Sequence, residues 1–423
     1  MVERQINANI LPILTVTTRA SDHTELVSPH GTPPHLIFQR LGRGFVGFGE
    51  VVRAEFSGPR RFVEAQSWWK KLADKAIVTD SIGRPGSGLV AFGAFAFSDR
   101  STQKSVLIVP ERIVGIDECG AFETRIENGQ EVTQLASYSA ADSPTPKTPN
   151  GWAGSSVTEQ RFLSLVKEGK KMIESGHLHK VVLARDLVHK LPPNVSPDGL
   201  VGKLAESYPD TFVFSVDGLI GASPETLASV RNQNITLRAL AGSAKRGVDD
   251  GDDQQQARAL ATSRKDLDEH RFAVQNVLQT LETHDITAVA DEVPFQLKLP
   301  NLWHLATDIR GVLPSSTGSI QVIGSLHPTA AVAGSPTSAA RKVIDSLEGL
   351  DRGRYAGPVG WVDGNGDGDW AIALRCAQID TQAHTITAYA GAGVVAESDA
   401  MEELLETELK FRPIIEAVNE QLR

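Results

Sequence analysis

Cysteine is nearly absent from this chain of 423 residues, which contains only Cys119 and Cys376. Two distant cysteines exclude a disulfide framework and a zinc site built from clustered thiolates, and they are typical of a reducing cytoplasm. The sequence also lacks an apolar run near the ~18 residues that a membrane-spanning helix needs. Its N-terminus shows no basic stretch followed by a hydrophobic one, so we expect neither a membrane anchor nor a secretory signal.

Positive charge is in deficit, with 42 Lys and Arg against 52 Asp and Glu and a formal net charge of −10. A protein whose main partner is nucleic acid needs a basic face, so we expect no nucleic-acid partner. An anionic small molecule remains possible as a ligand, because a few local cations or one metal ion would hold it. The hydrophobic fraction of 41% excludes a disordered or collagen-like chain.

The chain divides into three regions by composition. Residues 1–136 are rich in short Phe, Val and Gly patterns that predict strands and hairpins. Residues 137–156 are dense in Ser, Pro, Gly and Asn and predict a linker. Residues 157–423 mix strands with helices, which are predicted at 263–283, 337–348 and 400–421. Because many strands follow one another directly, we expect an α+β fold with mainly antiparallel sheets.

Three short motifs have a structural interpretation. Gly42, Gly44 and Gly47 fit a nucleotide-binding glycine pattern, but a strand pattern follows where such a loop needs a helix, so a hairpin is favoured. Residues 363–369 (DGNGDGD) resemble a calcium loop, but the twelfth position is not glutamate, so we expect a hairpin turn. Ser156, followed by glutamate three residues later, predicts a capping box at a helix start.

Two residues could carry acid–base chemistry. Lys180 opens the strand pattern KVVLAR, and on a partly buried face its pKa would fall toward a value useful for a general base. The alternative is a lysine at the strand end that reaches solvent. Glu225 follows a tight turn in GASPETL, where apolar surroundings would keep it protonated as a general acid. Its alternative is a glutamate at a helix start, favoured by the helix dipole.

Two predicted helices carry acidic faces. Asp266, Glu269 and His270 occupy positions i, i+3 and i+4 of one helix, so they share a face. Glu403, Glu406 and Lys410 occupy positions i, i+3 and i+7 of the other and also share a face. Two such carboxylate pairs facing each other across a cleft would suit Mg²⁺, which takes one or two carboxylates and keeps several waters. The alternative is a pair of solvated surface helices.

Taken together and in order, these stretches resemble the chorismate-utilising enzyme family over residues 157–412. The resemblance implies a large two-lobed α+β fold, with mainly antiparallel sheets packed in the centre and helices outside, and it assigns 1–136 to the same fold only by default. The stretches that carry it are KVVLAR, GASPETL, LAGSAKRG, SRKDLDEH, LWHLAT, LHPTAAVAGSP, YAGPVGWVD, AIALRCAQI, AGAG and ELLETELKF.

Three positions distinguish reactions within that family. Lys180 stands where water-activating members keep lysine and anthranilate synthases have glutamine. Ala241 stands where aminodeoxychorismate synthases have a lysine that attacks the ring. The segment 327–331 (HPTAA) is similar to the isochorismate-synthase pattern HPTPA, apart from an alanine in place of the proline, and Ala331 replaces the threonine of members that eliminate pyruvate. All three favour isochorismate synthesis.

The resemblance also implies a role for each site residue. Lys180 would activate the water that attacks C2, and Glu225 would protonate the departing C4 hydroxyl. A Mg²⁺ ion bound by Glu269 and Glu406, with Glu403 and Asp266 around it, would hold the ring carboxylate. The residues expected to contact substrate are Gly242, Ser243, His304, Ala331, Arg375, Gly391 and Lys410.

Three other functions stay open from the sequence. A salicylate synthase would add pyruvate elimination at the same site. A non-catalytic chorismate-binding subunit would depend on a partner such as a glutamine amidotransferase. An unrelated Mg²⁺ hydrolase could use the acidic helices, but it would leave Lys180 unexplained. For an isochorismate synthase, the family's common state predicts a monomer.

Overall fold

The computed structural model describes residues 11–26, 35–129, 152, 154–192, 195–298 and 302–422. Most of the predicted linker, 137–156, therefore lies outside the described residues. The helices are α1 (Arg61–Ala73), α2 (Glu159–Glu174), α3 (Pro197–Ser207), α4 (Asp250–Thr262), α5 (Arg264–Glu282), α6 (Ser319–Leu326), α7 (Thr337–Leu347) and α8 (Ala400–Gln421).

The strands form two large sheets. Their bounds are β1 (Leu14–Ser21), β2 (His35–Arg40), β3 (Arg43–Phe48), β4 (Val52–Phe56), β5 (Ile77–Asp80), β6 (Val90–Ala94), β7 (Ser105–Val109), β8 (Arg112–Asp117), β9 (Gly120–Asn128), β10 (Lys180–Lys190), β11 (Phe212–Val216), β12 (Leu219–Ser223), β13 (Thr226–Arg231), β14 (Asn234–Lys245), β15 (Thr287–Ala290), β16 (Phe295–Lys298), β17 (Leu302–Val312), β18 (Gly334–Ser335), β19 (Pro358–Asp363), β20 (Gly368–Ile372), β21 (Cys376–Asp380) and β22 (Thr385–Val394).

One sheet has twelve strands in the order β18-β10-β22-β21-β12-β11-β2-β3-β8-β9-β1-β5, and the other has ten, β15-β17-β14-β13-β20-β19-β6-β7-β4 with β16 also on β17. Strand pairs in the described regions are antiparallel except β1 with β5. The predicted α+β class with mainly antiparallel sheets is confirmed.

The main hydrophobic core joins the two sheets. Phe92 of the ten-stranded sheet and Phe214 of the twelve-stranded sheet are both fully buried and belong to one cluster. Strands such as β6, β7, β11 and β12 are buried along their whole length. The sequence of a strand that is covered on both faces is a continuous apolar run, because neither face contacts water.

Strands from the first part of the chain are built into both sheets. β2 pairs with β11, with Phe38 opposite Phe214, and β6 pairs with β19, with Gly93 opposite Gly360. The elements before and after the predicted linker therefore share their hydrogen-bond ladders and their core. The assignment of 1–136 as the N-terminal, sheet-rich part of the same fold stays a prediction about domain organisation.

Local predictions had mixed outcomes. The helices predicted at 263–283, 337–348 and 400–421 are confirmed as α5, α7 and α8. The predicted capping box at Ser156 is wrong, because Thr158 is the N-cap of α2 and accepts from the Arg161 amide. Ser156 instead donates its amide and hydroxyl to Asp186, a 2% exposed carboxylate that needs donors inside the protein.

The two turn interpretations are confirmed. Gly42 lies in the hairpin between β2 and β3, where Leu41 and Gly42 both have positive φ, as a tight hairpin turn requires. Residues 363–369 connect β19 to β20, and the Asp363 carboxylate accepts from the amides of Asn365 and Asp367. That carboxylate is used by the turn itself.

Helix α1 was missed by the sequence interpretation, which expected strands throughout 1–136. Its buried residues include Phe62, Ala65, Trp69 and Leu72, whose spacing of three and four residues is that of an amphipathic helix. In the described parts of the chain, no helix combines the length and apolarity needed to cross a membrane.

Phe95 lies between helix α1 and strand β20 and provides a test of the core. Its ring stacks on Phe62 of α1 at 4.7 Å and meets Trp370 of β20 edge-on at 5.7 Å. We expect Phe95→Ala to lower the free energy of unfolding by about 3–5 kcal/mol, because the cavity would lie within a packed core. Urea denaturation measures this change.

The matched control is Phe272→Ala, since Phe272 is 69% exposed. Its effect should stay within about 0.5 kcal/mol. If Phe95→Ala lowered the free energy of unfolding by less than about 1 kcal/mol, the contacts of Phe95 with Phe62 and Trp370 would not be what holds α1 on the sheet.

Candidate active site

Lys180 is the first residue of β10 and lies among buried neighbours. Val181, Leu183 and Ala184 of the same strand are 0% exposed, and β10 pairs with β22 from Val181 onward. A Cβ placed on Gly393 of β22 would lie 2.8 Å from Cε of Lys180 and 3.5 Å from its Nζ. The lysine side chain therefore crosses the neighbouring strand at a glycine, where a larger residue would displace it.

Glu225 occupies the short connection between β12 and β13. Its amide donates to Oγ of Ser223 at 3.2 Å, and its carbonyl accepts from the Ile372 amide at 3.0 Å. The residues that follow form a strand, so the helix-start interpretation of this glutamate is wrong. The first bond holds the main chain of Glu225 to the Ser223 side chain of β12, and the second holds it to the backbone of β20.

The electrostatics of this pair are complementary. Burial lowers the pKa of the Lys180 amine, and it raises the pKa of Glu225 to about 7. Glu269 opposes the first shift, while the positive charges of Lys180 and Lys410 oppose the second. Removal from water disfavours the charged form of each group, so the amine tends to lose its proton and the carboxyl tends to keep it.

The acidic helices contribute to the same region. Glu269 of α5 and Glu406 of α8 both act on the charge of Lys180. Lys410 forms an ion pair with Glu406 at 2.6 Å and donates to the Gly391 carbonyl of β22 at 2.7 Å. Lys410 therefore ties the acidic face of α8 to the strand beside β10.

Glu403 lies one helical turn before Glu406. Burial and the nearby Glu406 raise the pKa of its carboxyl, and a hydrogen bond from Ser398 opposes the shift. Repulsion between two carboxylates on one helix face is relieved when a cation is placed between them.

The carboxylates fit a weakly chelated divalent ion better than a closed protein cage. Within the described residues, no three His, Cys, Asp or Glu side chains form a group that could hold a metal ion. Glu269 and Glu406 nevertheless approach one lysine from two different helices, and carboxylate oxygens suit Mg²⁺, which keeps most of its waters. Assignment of Glu269, Glu406 and Glu403 as metal ligands stays a prediction.

His304 and Gly242 form another wall of the region. The His304 ring makes a 3.3 Å hydrogen bond to the Gly242 carbonyl, and burial lowers the pKa of the imidazole. The charges of Lys180, Lys410 and Glu406 also act on this ring. Gly242 has φ +76°, and a Cβ there would lie 3.3 Å from Asp266, so glycine is required where β14 meets α5.

Ala331 and Arg375, two further residues predicted to contact substrate, have different surroundings. Ala331 is in the loop before β18, where the flanking Ala333 carbonyl accepts from the Val182 amide of β10 at 2.9 Å. Arg375 is in a left-handed conformation with φ 46°. Burial lowers the pKa of its guanidinium, and Tyr208 and Asp210 oppose that shift. The ionisable groups that act on Arg375 thus differ from those that act on Lys180. For Ser243 the side chain lies outside the described part of the chain.

Sequence reasoning missed the role of two residues that support the site. His270, beside Glu269, is 3% exposed and donates from Nδ1 to the Ala241 carbonyl at 3.0 Å, while Nε2 accepts from the Thr307 hydroxyl at 2.7 Å. It anchors α5 on β14 and β17. Its sequence signal is its place on the predicted helix face of Asp266 and Glu269, four residues after Asp266.

Tyr355 is the second missed residue. It is 4% exposed, and its ring stacks on Tyr389 at 5.5 Å. A Cβ on Gly391 would lie 2.9 Å from the Tyr355 hydroxyl oxygen and 2.8 Å from the Leu183 carbonyl oxygen. Glycine at 391 therefore lets this hydroxyl approach the backbone of β22. The motif YAGPVGWVD contains this tyrosine, but nothing in the motif reveals the approach.

Comparison with known proteins places this geometry in context. The chain is 38% identical over 266 residues to the isochorismate synthase DhbC of Bacillus subtilis, covering 60% of this chain and 66% of that relative. It is 32% identical to the isochorismate synthase EntC of Escherichia coli over 390 residues, 90% of this chain and 94% of the relative.

A solved structure agrees with these relatives. The crystal structure of a putative 2,3-dihydroxybenzoate-specific isochorismate synthase, DhbC from Bacillus anthracis, superimposes with a TM-score of 0.69 at 30% identity, covering 91% of this chain and 96% of that one. Residues 37–419 match the family model described as chorismate binding enzyme. On that match, which includes nearly every described element of both sheets, this chain belongs to the family of chorismate-binding enzymes.

Proposed function

We propose that the protein is an isochorismate synthase, an isomerase that converts chorismate to isochorismate. The observation that carries this proposal is the pairing of Lys180, whose pKa is lowered, with Glu225, whose pKa is raised to about 7. Burial thus favours an amine that can accept a proton and a carboxyl that can donate one. The relatives named as isochorismate synthases support the same reaction.

In the proposed mechanism, the neutral Lys180 amine removes a proton from a water molecule whose oxygen bonds to C2 of the ring. The ring double bonds shift, and the bond from C4 to its hydroxyl breaks. Glu225 gives its proton to the departing hydroxyl, which leaves as water. One water is added and one is lost, so the net reaction is an isomerisation, and solvent restores the two protonation states. Proton transfers of this kind typically contribute about 10²–10⁴-fold each.

The substrate's carboxylates need positive charge. Lys410, fixed between Glu406 and the Gly391 carbonyl, supplies one cation at the edge of the site. Arg375 offers a planar fork suited to a carboxylate. A bound Mg²⁺ would neutralise the ring carboxylate, and Glu269 and Glu406 would hold it, with Glu403 and Asp266 accepting hydrogen bonds from its waters.

Isochorismate as the final product is favoured over salicylate by Ala331, which lacks the hydroxyl found in pyruvate-eliminating members. The neutral methyl of Ala241 excludes attack by a side-chain amine at that position. Relatives with this reaction are named for different downstream products, including vibriobactin in Vibrio cholerae, so the isomerisation is what they share. We also propose that the protein lies in the cytoplasm, which its free cysteines support, and that it is a monomer, the common state of the family that it resembles.

Product analysis tests the proposed reaction. Purified protein incubated with chorismate and Mg²⁺, without glutamine or a partner protein, should yield isochorismate as the only new product by chromatography. Salicylate together with stoichiometric pyruvate would establish a salicylate synthase. No turnover of the isolated chain would favour the partner-dependent subunit.

The pH dependence follows from the two shifted pKa values. Below the lowered pKa of Lys180 the base is protonated, and above about pH 7 Glu225 loses the proton that it must donate. We therefore expect kcat/KM to rise and then fall with pH, with the alkaline decrease near pH 7. Steady-state kinetics from pH 5 to 9 would measure this profile.

Two variants assign the limbs of that profile. Glu225→Gln should lose about 10²–10⁴-fold in kcat and also lose the alkaline limb. Lys180→Ala should abolish water addition while leaving urea stability close to wild type. Retained turnover by Lys180→Ala would remove this residue as the base.

Removal of one predicted metal ligand should affect binding and turnover together. Glu269→Ala is expected to weaken Mg²⁺ binding, measured by calorimetry with chorismate present, and to lower kcat in parallel. The control is Asp268→Ala on the same helix, because Asp268 pairs with Arg271 at the surface. Normal Mg²⁺ affinity in Glu269→Ala would show that the ligand assignment is wrong.

A further inference from the structure

The outer edge of β10 is only partly covered by backbone. On one side β22 pairs with the strand from Val181 to Lys190, but on the other side β18 pairs only with Lys180 and Val181. Val182 and Ala184, which follow, are 7% and 0% exposed. Buried backbone amides and carbonyls need hydrogen-bond partners, so this stretch must be satisfied by something other than a strand.

Two side chains supply those partners. Glu348, at the end of α7, accepts from the Ala184 amide at 2.5 Å. Arg352 donates from Nη2 to the Val182 carbonyl at 2.7 Å. The two residues are joined to each other by hydrogen bonds of 2.8 Å and 2.7 Å. We call this pair the β10 clamp, since it continues the hydrogen bonding of β18 along the strand that begins at Lys180.

The β10 clamp also reaches the loop that contains Ala331. Arg352 donates from Nη1 to the Val332 carbonyl at 2.9 Å, and the next carbonyl, that of Ala333, accepts directly from the Val182 amide. One guanidinium group therefore connects the strand that begins at Lys180 to the residue that follows Ala331.

The clamp is enclosed rather than superficial. Glu348 is 2% exposed and Arg352 is 3% exposed, and the guanidinium lies 4.4 Å from the centre of the Phe97 ring. A buried ion pair is weak evidence for stability, because the loss of hydration can exceed the attraction between the charges. What this pair provides is geometry: the planar arginine fork serves three acceptor groups in fixed directions, which a lysine ammonium would not reproduce.

We propose that Glu348 and Arg352 are positioning residues, which set the location of Lys180 relative to the Ala331 loop by bonding to the outer edge of β10. This inference rests on the proposed function, in which Lys180 is the base. Neither residue needs to touch the substrate. Because acid–base catalysis requires reach within hydrogen-bond distance, a shift of about 1 Å in β10 would lower kcat by about 100-fold.

The test variant is Arg352→Lys, which keeps the positive charge beside Glu348 and loses the fork to Val182 and Val332. The matched control is Arg354→Lys, since Arg354 is also an enclosed arginine that pairs with a carboxylate, that of Asp217, at 2.7 Å. Two measurements are made on each: kcat and KM with chorismate, and the rate at which an amine-acylating reagent labels Lys180, read by peptide mass spectrometry.

For Arg352→Lys we expect kcat to fall about 100-fold with KM within about threefold of wild type, together with altered labelling of Lys180. Arg354→Lys should change neither quantity. Gly393→Ala is the comparator for a displaced lysine, because its methyl would lie 2.8 Å from Lys180 Cε. Unchanged kcat or unchanged Lys180 labelling in Arg352→Lys overturns the proposal.

Should Arg352→Lys not fold, the double variant Glu348→Leu with Arg352→Met replaces it, because removing both charges leaves no unpaired buried ion. The same two measurements then decide. Labelling of Lys180 does not depend on turnover. If wild-type protein does not convert chorismate, the proposed function fails, while the labelling comparison still shows whether the clamp positions this lysine.

Discussion

Desolvation of one amine and one carboxyl is the interaction on which the proposed chemistry depends. The packing of the two sheets partly buries Lys180 and Glu225, and this single cause shifts their pKa values in opposite directions. Their mutual attraction opposes both shifts and is the smaller effect. A looser site, with water around both groups, would favour the charged lysine and the charged glutamate, and it would therefore oppose both proton transfers.

The two large sheets bring together groups that lie far apart along the chain. Lys180 comes from the strand beside the edge of the twelve-stranded sheet, and Glu225 from the start of a strand in the ten-stranded sheet. Helices α5 and α8 then place Glu269 and Glu406 around the same lysine. His270 anchors the first helix through Ala241 and Thr307, and Lys410 ties the second to β22. The helices are thus held by polar contacts to the sheets as well as by their apolar faces.

Near the β18 end of the twelve-stranded sheet, side chains take the place of backbone groups as hydrogen-bond partners. β18 covers only two residues of β10, and Glu348 with Arg352 complete the hydrogen bonding of the next part of the strand. The Ala184 amide and the Val182 carbonyl are thereby satisfied inside the protein, which shortens the unpaired ladder that an edge can offer to another chain. The same contacts link the strand of Lys180 to the Ala331 loop, so sheet termination and positioning of the site are one structural feature.

The sequence by itself determined the α+β class, the helices α5, α7 and α8, the two hairpin turns and the family, because periodicity, turn residues and ordered motifs are local properties. It also predicted Lys180 and Glu225 as candidates for acid–base chemistry. The alternatives, a solvent-exposed lysine and a glutamate at a helix start, could be judged only from the fold. Helix α1, the N-cap at Thr158, and the roles of His270, Tyr355, Glu348 and Arg352 were decided by tertiary structure. Apart from the Thr158 cap, which accepts from the Arg161 amide, each depends on a partner far away in the chain. Burial of a polar group acquires meaning only when the atoms that satisfy it are known.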